Sequence, residues 1–399
     1  MNVKVVKEDD VEIRALNFEK CKSAELVSIS VYFNAARSEK RKELTIRALR
    51  SFIDIEIENH ALVLVDNGSI DSTIEVLMDE VLRSGSEKCV LIVRLPKNLG
   101  FARANEIGYK LAKGLSKQMK YVALINDDVV VDEKKFKELY RILEDTDVCG
   151  VQGILLHPTG KLDSASLYFS PLLAYGGTVG SAEYLPALAL FPSFTSYLDG
   201  ALSIYNEECL KGKLFEPYCF MYGDDYELGT RLTSENGKLL FVPIVVGTHH
   251  RGLTRTSSTE LHRKIMWWGG FCSSSLSMSL INVPKSLFFL ELLLRNFSIT
   301  MVIALSKVGL FKNIKELVRL NKSFMEGSLF ALFRPAPFRR RKSVLLEPNV
   351  IEMISSLSLS VIPACFVCRL FPPWKRLRRL LRELEKTIHP LSSGERREA

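Results

Sequence analysis

Three groups of acidic and amide side chains could handle a charged, oxygen-rich ligand. Asp66-Asn67-Gly68-Ser69-Ile70-Asp71 offers oxygens that accept hydrogen bonds from imide N–H groups and ribose hydroxyls, although the run is also an ordinary turn sequence. Asn126, Asp127 and Asp128 offer hard oxygen donors of the kind that hold Mg2+ or Mn2+ together with a diphosphate. Asp224 and Asp225 pair two carboxylates, one of which could take a proton from a hydroxyl. Alone, such a pair also suits the positive end of a helix dipole. Between the first two groups, residues 95–105 read LPKNLGFARAN, where Gly100 permits close backbone approach to a ligand.

These groups need rigid elements to aim them. Residues 26–34, LVSISVYFN, form a β-branched run of the buried-strand kind. A charged helix is predicted over 38–53 and a second strand over 61–65. The acidic loop 66–71 then leads into a helix with Asp71 or Ser72 as N-cap. A strand over 90–94, a helix over 101–114 and a strand over 121–125 complete the run. This alternation reads as βαβ units and a largely parallel sheet, whose ligand crevice lies beyond the carboxyl ends of the strands. Asn34, Asp66 and Asp128 each fall at such an end. Residues 150–255, punctuated by Gly176, Gly177, Gly180, Pro186, Pro192 and Gly200, predict an α+β half that completes the sheet and covers the crevice.

Seven blocks then recur in a familiar order over residues 27–255: SVYFN, LVDNGSIDST, NLGFARANEIG, LINDDVVVD, DGALSIYNEEC, FMYGDDYELGTRL and THHRGLTR. In this the chain resembles a family 2 glycosyltransferase of the GT-A fold, and is most similar to the rhamnosyltransferase-like and galactofuranosyltransferase-like members. The resemblance implies an α/β nucleotide-diphospho-sugar transferase domain, a Rossmann-like mixed sheet, over residues 1–260. A C-terminal helical extension follows over 261–399. It implies that Asn34 and Asp66 contact the nucleotide, helped by Asn67 and Ser69 of the same loop. Asn98, Gly100, Phe101 and Asn105 would wrap it. Asn126 and Asp128 fall on the outer positions of the D-x-D metal motif. The sequence departs there, since the first position is Asn126, which leaves Asp128 as main metal ligand and Asp127 as support. His249 matches a histidine that completes the metal or diphosphate site. It is preferred to His250 because Gly252 and Thr254 then fall three and five residues later. Asp225 matches the general base and Asp224 the acid beside it, which would orient the acceptor. The implied chemistry is a single inverting displacement. A divalent cation, Mg2+ or Mn2+, neutralises the leaving diphosphate while Asp225 takes the acceptor proton. The donor is a nucleotide-diphosphate sugar and the acceptor a lipid-linked or cell-surface glycan. The rival is a degenerate nucleotide-binding scaffold of the same fold, which Asn126 favours.

Composition bounds the remainder. With 47% hydrophobic and 25% charged residues, the 399-residue chain falls outside the disordered and collagen-like classes. The net charge of +8 is unevenly placed: residues 311–399 hold 18 basic and 8 acidic side chains, a balance of +10. A helix is predicted around Trp374, with Leu377, Leu380, Leu381, Leu384 and Ile388 on one face and Lys375, Arg376, Arg378, Arg379, Arg382 and Lys386 on the other. That is the pattern of a helix lying on an anionic membrane surface. Nucleic acid fits less well, because few aromatics interleave the basic residues. Three apolar stretches, 265–284, 286–304 and 353–368, read as buried or interfacial helices rather than spans, since each is interrupted by charges, serines or proline. The N-terminal residues carry acids early and no apolar h-region. Eight cysteines are too sparse for a disulfide framework and read as free thiols. Both features point to a cytoplasmic, peripheral location on the inner face of the membrane.

Overall fold

The computed structural model describes residues 3–8, 11–170, 175–178, 192–251, 259–280 and 314–338. A hairpin opens the chain, β1 (Val3–Glu8) and β2 (Val11–Leu16), followed by the short α1 (Phe18–Cys21). Then come β3 (Leu26–Tyr32), α2 (Glu39–Ile53), β4 (His60–Asp66), α3 (Thr73–Ser84), β5 (Cys89–Arg94), α4 (Phe101–Leu115) and β6 (Tyr121–Ile125). After the short β7 (Val129–Val131) and α5 (Glu133–Glu144) follow β8 (Gly150–Leu156), β9 (Leu162–Ser164), β10 (Leu167–Ser170), β11 (Tyr175–Thr178), β12 (Ser193–Phe194) and β13 (Leu202–Asn206). The chain continues through α6 (Glu207–Leu210), α7 (Asp224–Ser234), β14 (Leu239–His249), α8 (Thr259–Leu280) and α9 (Ile314–Phe333).

The main sheet runs β1-β2-β5-β4-β3-β6-β13-β8-β14-β12. β5, β4, β3 and β6 are parallel. Only this half matches the parallel sheet expected, because β2 joins β5 antiparallel and β13 pairs antiparallel with both β6 and β8. The opening hairpin was not foreseen. In Val11–Leu16 apolar and polar residues alternate, and the strand lies between β1 and β5 with Ala15 and Leu16 buried and the residues before them half-exposed.

Successive residues of the central strands enter two different cores, which is why these strands read as unbroken apolar runs. Val27, Ile29, Val63, Val65, Leu91 and Val93 pack with Tyr109 of α4, Leu228 of α7 and Leu276 of α8. Leu26, Leu62, Leu64, Val90 and Ile92 pack with Phe52 of α2, Leu77 of α3 and Phe136 of α5. Each such fully buried side chain contributes about 1.5–3 kcal/mol of transfer free energy. The result is a helix–sheet–helix sandwich. Ser38 caps α2 through the Arg41 amide, and Asp132 caps α5 through the Lys135 amide. Ser72 takes the N-cap position of α3 without a side-chain bond, while Asp71 Oδ1 accepts from the Thr73 amide.

α8 covers residues 265–280 of the apolar stretch 265–284. It lies against α9 at contact distance, since a Cβ on Gly270 would stand 2.1 Å from the Phe324 carbonyl oxygen and one on Gly327 2.0 Å from that of Trp267. Among the described residues no helix is long and apolar enough to cross a membrane. The stretches 286–304 and 353–368 and the amphipathic segment after Trp374 lie outside the described residues.

The cysteine expectation is corrected. Three disulfides join Cys21 to Cys89, Cys149 to Cys209 and Cys219 to Cys272. Partners lie 53 to 68 residues apart in sequence, so only the fold brings them together. Disulfides persist mainly in oxidising compartments or in hyperthermophile proteins. The cysteines therefore lend no support to a reducing compartment.

Candidate active site

The parallel strands end in a crevice lined by Val31, Phe33, Asn67, Asn98, Gly100, Phe101 and the turn Asn126, Asp127 and Asp128. Arg41 of α2, Phe220 and Met221 ahead of α7, and Leu261 and Ile265 of α8 also line it. The segment following residue 260 thus contributes a wall of the site.

The loop after β4 is shaped by its own polar side chains. Asp66 is buried, and its Oδ1 accepts from the Ser69 amide at 3.1 Å. Its Oδ2 is buried without a hydrogen-bond partner, and Arg94 Nε stands 3.8 Å away. Burial raises its carboxyl above the ordinary value, against the hydrogen bonds from Ser69. Asn34, at φ 48°, accepts the Ile70 amide on Oδ1, and its own amide donates to Ser69 Oγ. Asn34 and Ser69 therefore brace the loop. Asn67 Oδ1 accepts from the Leu99 amide, and its Nδ2 donates to Asn98 Oδ1 and the Gly100 carbonyl, stitching the two loops together. Asn105 is buried and donates to the Phe101 carbonyl within α4, so it supports the helix start rather than the crevice.

Gly100 lines the crevice and also meets another part of the chain. At φ +89°, a Cβ there would lie 2.4 Å from the carbonyl oxygen of Phe220, to which Phe101 N–H donates at 2.7 Å. The close approach is to the chain that leads into α7. This contact carries that chain to the crevice.

The Asn126–Asp128 turn is held by Asn126 N–H on the Ala201 carbonyl and by Val129 N–H on that of Asn126. Asp127 is buried against Arg41, Nη2 to Oδ2 2.5 Å. Asp128 Oδ1 lies 3.1 Å from His249 Nε2, and Asp163 Oδ2 lies 2.9 Å from His249 Nδ1. Burial disfavours charge on all three groups. The two carboxylates nevertheless hold the imidazolium, with a pKa of about 9, and the imidazolium in turn keeps Asp128 below the usual carboxylate range. Arg251 donates from Nε to Asp163 and from Nη2 to Asp199 Oδ2 at 3.0 Å. Asp199 leads into Gly200, where an added Cβ would stand 2.8 Å from Asp225 Oδ1 and 3.1 Å from Phe101 Cε1. A continuous polar chain thus runs from Asp128 to the neighbourhood of Asp225.

The two acids at the start of α7 differ in surroundings. Asp224 is buried. Burial raises its carboxyl to about 6 against the backbone amides of Asp224 and Asp225, which place it as the acid of the helix terminus. Asp225 is half-buried, with Oδ1 lacking a hydrogen-bond partner. Burial, then the charges of Asp224 and Asp199, push its carboxyl well above the ordinary value. A carboxylate held this way is a strong proton acceptor beside the crevice wall.

Residues 31–174 match the family model described as glycosyl transferase family 2. Over these residues the chain is similar to family 2 glycosyltransferases. This match ends before Asp199, Asp224, Asp225 and His249; of these, the fold sets His249 against Asp128 and ties Asp199 to it through Arg251 and Asp163. Among solved structures, the chain is similar to the mannosyltransferase PcManGT from Pyrobaculum calidifontis in complex with GDP-Man and Mn2+, at 12% identity and TM-score 0.48 over 78% of this chain and 87% of that one. It is similar to S. aureus TarS 1-349 at 12% identity and TM-score 0.43, over 77% and 82% of the two chains. With GalNAc-T7, solved with UDP, GalNAc and Mn2+, the figures are 15% and 0.44 over 77% of this chain and 56% of that one. No curated protein matches the chain.

Arg41, Asp163, Asp199 and Arg251 escaped the sequence reading. Asp199 and Arg251 stand inside recognised blocks, DGALSIYNEEC and THHRGLTR, where attention to every polar position would have found them. Arg41 and Asp163 carry no local signal, since each becomes special only through a partner 86 residues away.

Proposed function

We propose that this family 2 protein transfers a sugar from a nucleoside-diphosphate donor to a hydroxyl of a lipid-linked or cell-surface glycan, by a single inverting displacement, with the rhamnosyl- and galactofuranosyl-transferring members as nearest in type. The observation that supports the reading is the polar chain that links Asp128 at the crevice, through His249, Asp163, Arg251 and Asp199, to the neighbourhood of Asp225.

Asp128 and His249 are two described groups that could serve a divalent cation, His249 once the metal displaces the proton that it shares with Asp128. Asp128 Oδ1 and His249 Nε2 stand 3.1 Å apart, and Asp163 fixes the ring from Nδ1 as metal-binding histidines require. Asp128 and His249 would hold Mg2+ or Mn2+, with the diphosphate supplying further oxygens. When bound, the cation would neutralise charge developing on the leaving phosphate. Asp66, with its unpartnered Oδ2, and Asn67 and Asn98 serve the nucleotide. Asn34, Ser69 and Asn105 hold the loops and helix that present them. Phe101 and Gly100 set the wall, and Asp127 anchors the turn through Arg41. Asp225 takes the proton of the acceptor hydroxyl as that oxygen attacks the anomeric carbon. Asp224 holds the α7 terminus and, through it, the direction of Asp225.

Residues 1–260 carry the catalytic sheet, and residues 261–399 form an extension that closes the crevice with α8 and docks the protein on an anionic membrane surface through its +10 balance. The inner-face placement loses the free thiols on which it partly leaned. A panel of nucleotide sugars screened for thermal stabilisation and Mn2+-dependent hydrolysis tests the core reading. At least one donor should raise Tm and be hydrolysed only with metal. Silence across the panel, with nucleoside diphosphates binding normally, would favour the degenerate scaffold.

A further inference from the structure

The crevice contains a cation that the resemblance does not account for. Arg41 sits in the first turn of α2, with its side chain only 3% exposed, yet it lines the crevice beside Asn126, Asp127 and Asp128. One arm of the guanidinium is committed: Nη2 donates to Asp127 Oδ2. The other arm is not, because Nη1 is buried with no hydrogen-bond partner. A buried guanidinium N–H without an acceptor is costly, and such groups in native proteins are normally satisfied. Arg41 is also placed where the acidic turn is weakest, since the first position of that turn is the neutral Asn126.

We propose that Arg41 is a donor-binding residue whose free Nη1 hydrogen-bonds the diphosphate of the nucleotide, so that the diphosphate is neutralised partly by the protein and only partly by a metal. The proposal rests on the reading of this crevice as the donor site. Arg41 is held by Asp127 in a fixed plane, and a guanidinium so oriented offers a charge-assisted donor without the entropy cost of ordering a free side chain. Asp127 is then the residue that positions Arg41, which explains why a carboxylate in the metal motif is spent on an arginine.

Calorimetric titration of the full chain with UDP and with GDP, each in Mn2+ and in EDTA, tests this. The wild-type protein should bind one of them in EDTA. The double variant Arg41→Met/Asp127→Asn, which removes both charges and leaves no carboxylate stranded, should lose roughly 10- to 100-fold of that metal-free affinity. It should lose less in Mn2+. Asp127→Asn alone, which leaves the guanidinium present but no longer held, should weaken metal-free binding by less than the double variant does, whereas a merely structural ion pair would make the two variants alike. Binding by the wild type in Mn2+ but none in EDTA overturns the proposal and leaves the transferase reading standing. So does a folded double variant, its Tm near wild type, that binds in EDTA as the wild type does. Absence of binding in Mn2+ as well overturns both. Because the wild-type comparison needs no variant, misfolding of a variant does not rescue the idea.

Discussion

Replacing Asp225 by Asn separates proton acceptance from every other property of the site. Asn keeps the shape of the carboxylate and retains one oxygen to accept from the Gly200 backbone amide. The donor contacts proposed at Asp66 and Asn67 lie on another strand, so donor affinity should hold. Loss of a general base costs about 10²–10⁴ in rate, equivalent to about 3–5 kcal/mol on the barrier. Stability should move the other way. A carboxyl whose folded pKa is raised by burial and by Asp224 and Asp199 costs stability at any pH above that value. Asn carries no charge, so Tm at pH 7 should stay level or rise. Asp224→Asn should be milder in transfer, since that side chain serves the helix terminus. The assay is product formation with a radiolabelled donor, alongside calorimetric donor binding and a thermal melt. An active Asp225→Asn beside a dead Asp224→Asn would put the base one residue earlier. Full transfer by both would place it elsewhere.

Asp128→Ala should reduce Mn2+-dependent transfer by about 10²-fold or more, because the metal supplies several kcal/mol of charge stabilisation. Unchanged activity and metal dependence would discard Asp128 as a ligand. Gly200→Ala should lower kcat by about 10²-fold with little effect on donor binding, because its Cβ would stand 2.8 Å from Asp225 Oδ1 and turn the carboxylate away; an unaltered kcat refutes the placement of the base beside Gly200. In EDTA, the His249 contribution to stability should be complete below about pH 6.5 and lost as pH rises through about 9, since its folded pKa is raised. His249→Gln should flatten that limb of the Tm–pH curve, and a wild-type Tm that is level across this range contradicts the Asp128–His249–Asp163 bridge. Truncation before Trp374 should weaken binding to anionic vesicles, and added salt should weaken binding of the intact chain; equal binding by both chains, read by co-sedimentation, moves the contact away from the tail.

The sequence by itself settled the first half of the fold. The four parallel strands, and the helices between them, follow from buried apolar runs and amphipathic periods, which are local properties fixed by burial on one or both faces. Strand ends then located Asp66 and Asp128, because a loop must begin where an apolar run stops. What tertiary structure alone decided is everything that depends on two distant segments meeting. The antiparallel insertion of β13 between β6 and β8 brings Asp199 and Gly200 beside Asp225. The return of β14 sets His249 between Asp128 and Asp163, and the six cysteines pair only once the sheet is assembled. Gly100 shows the difference within one residue. Its need for an open backbone was legible in the sequence, but the Phe220 carbonyl that presses against it was not. Conformational preference belongs to a residue, whereas a contact partner belongs to the fold.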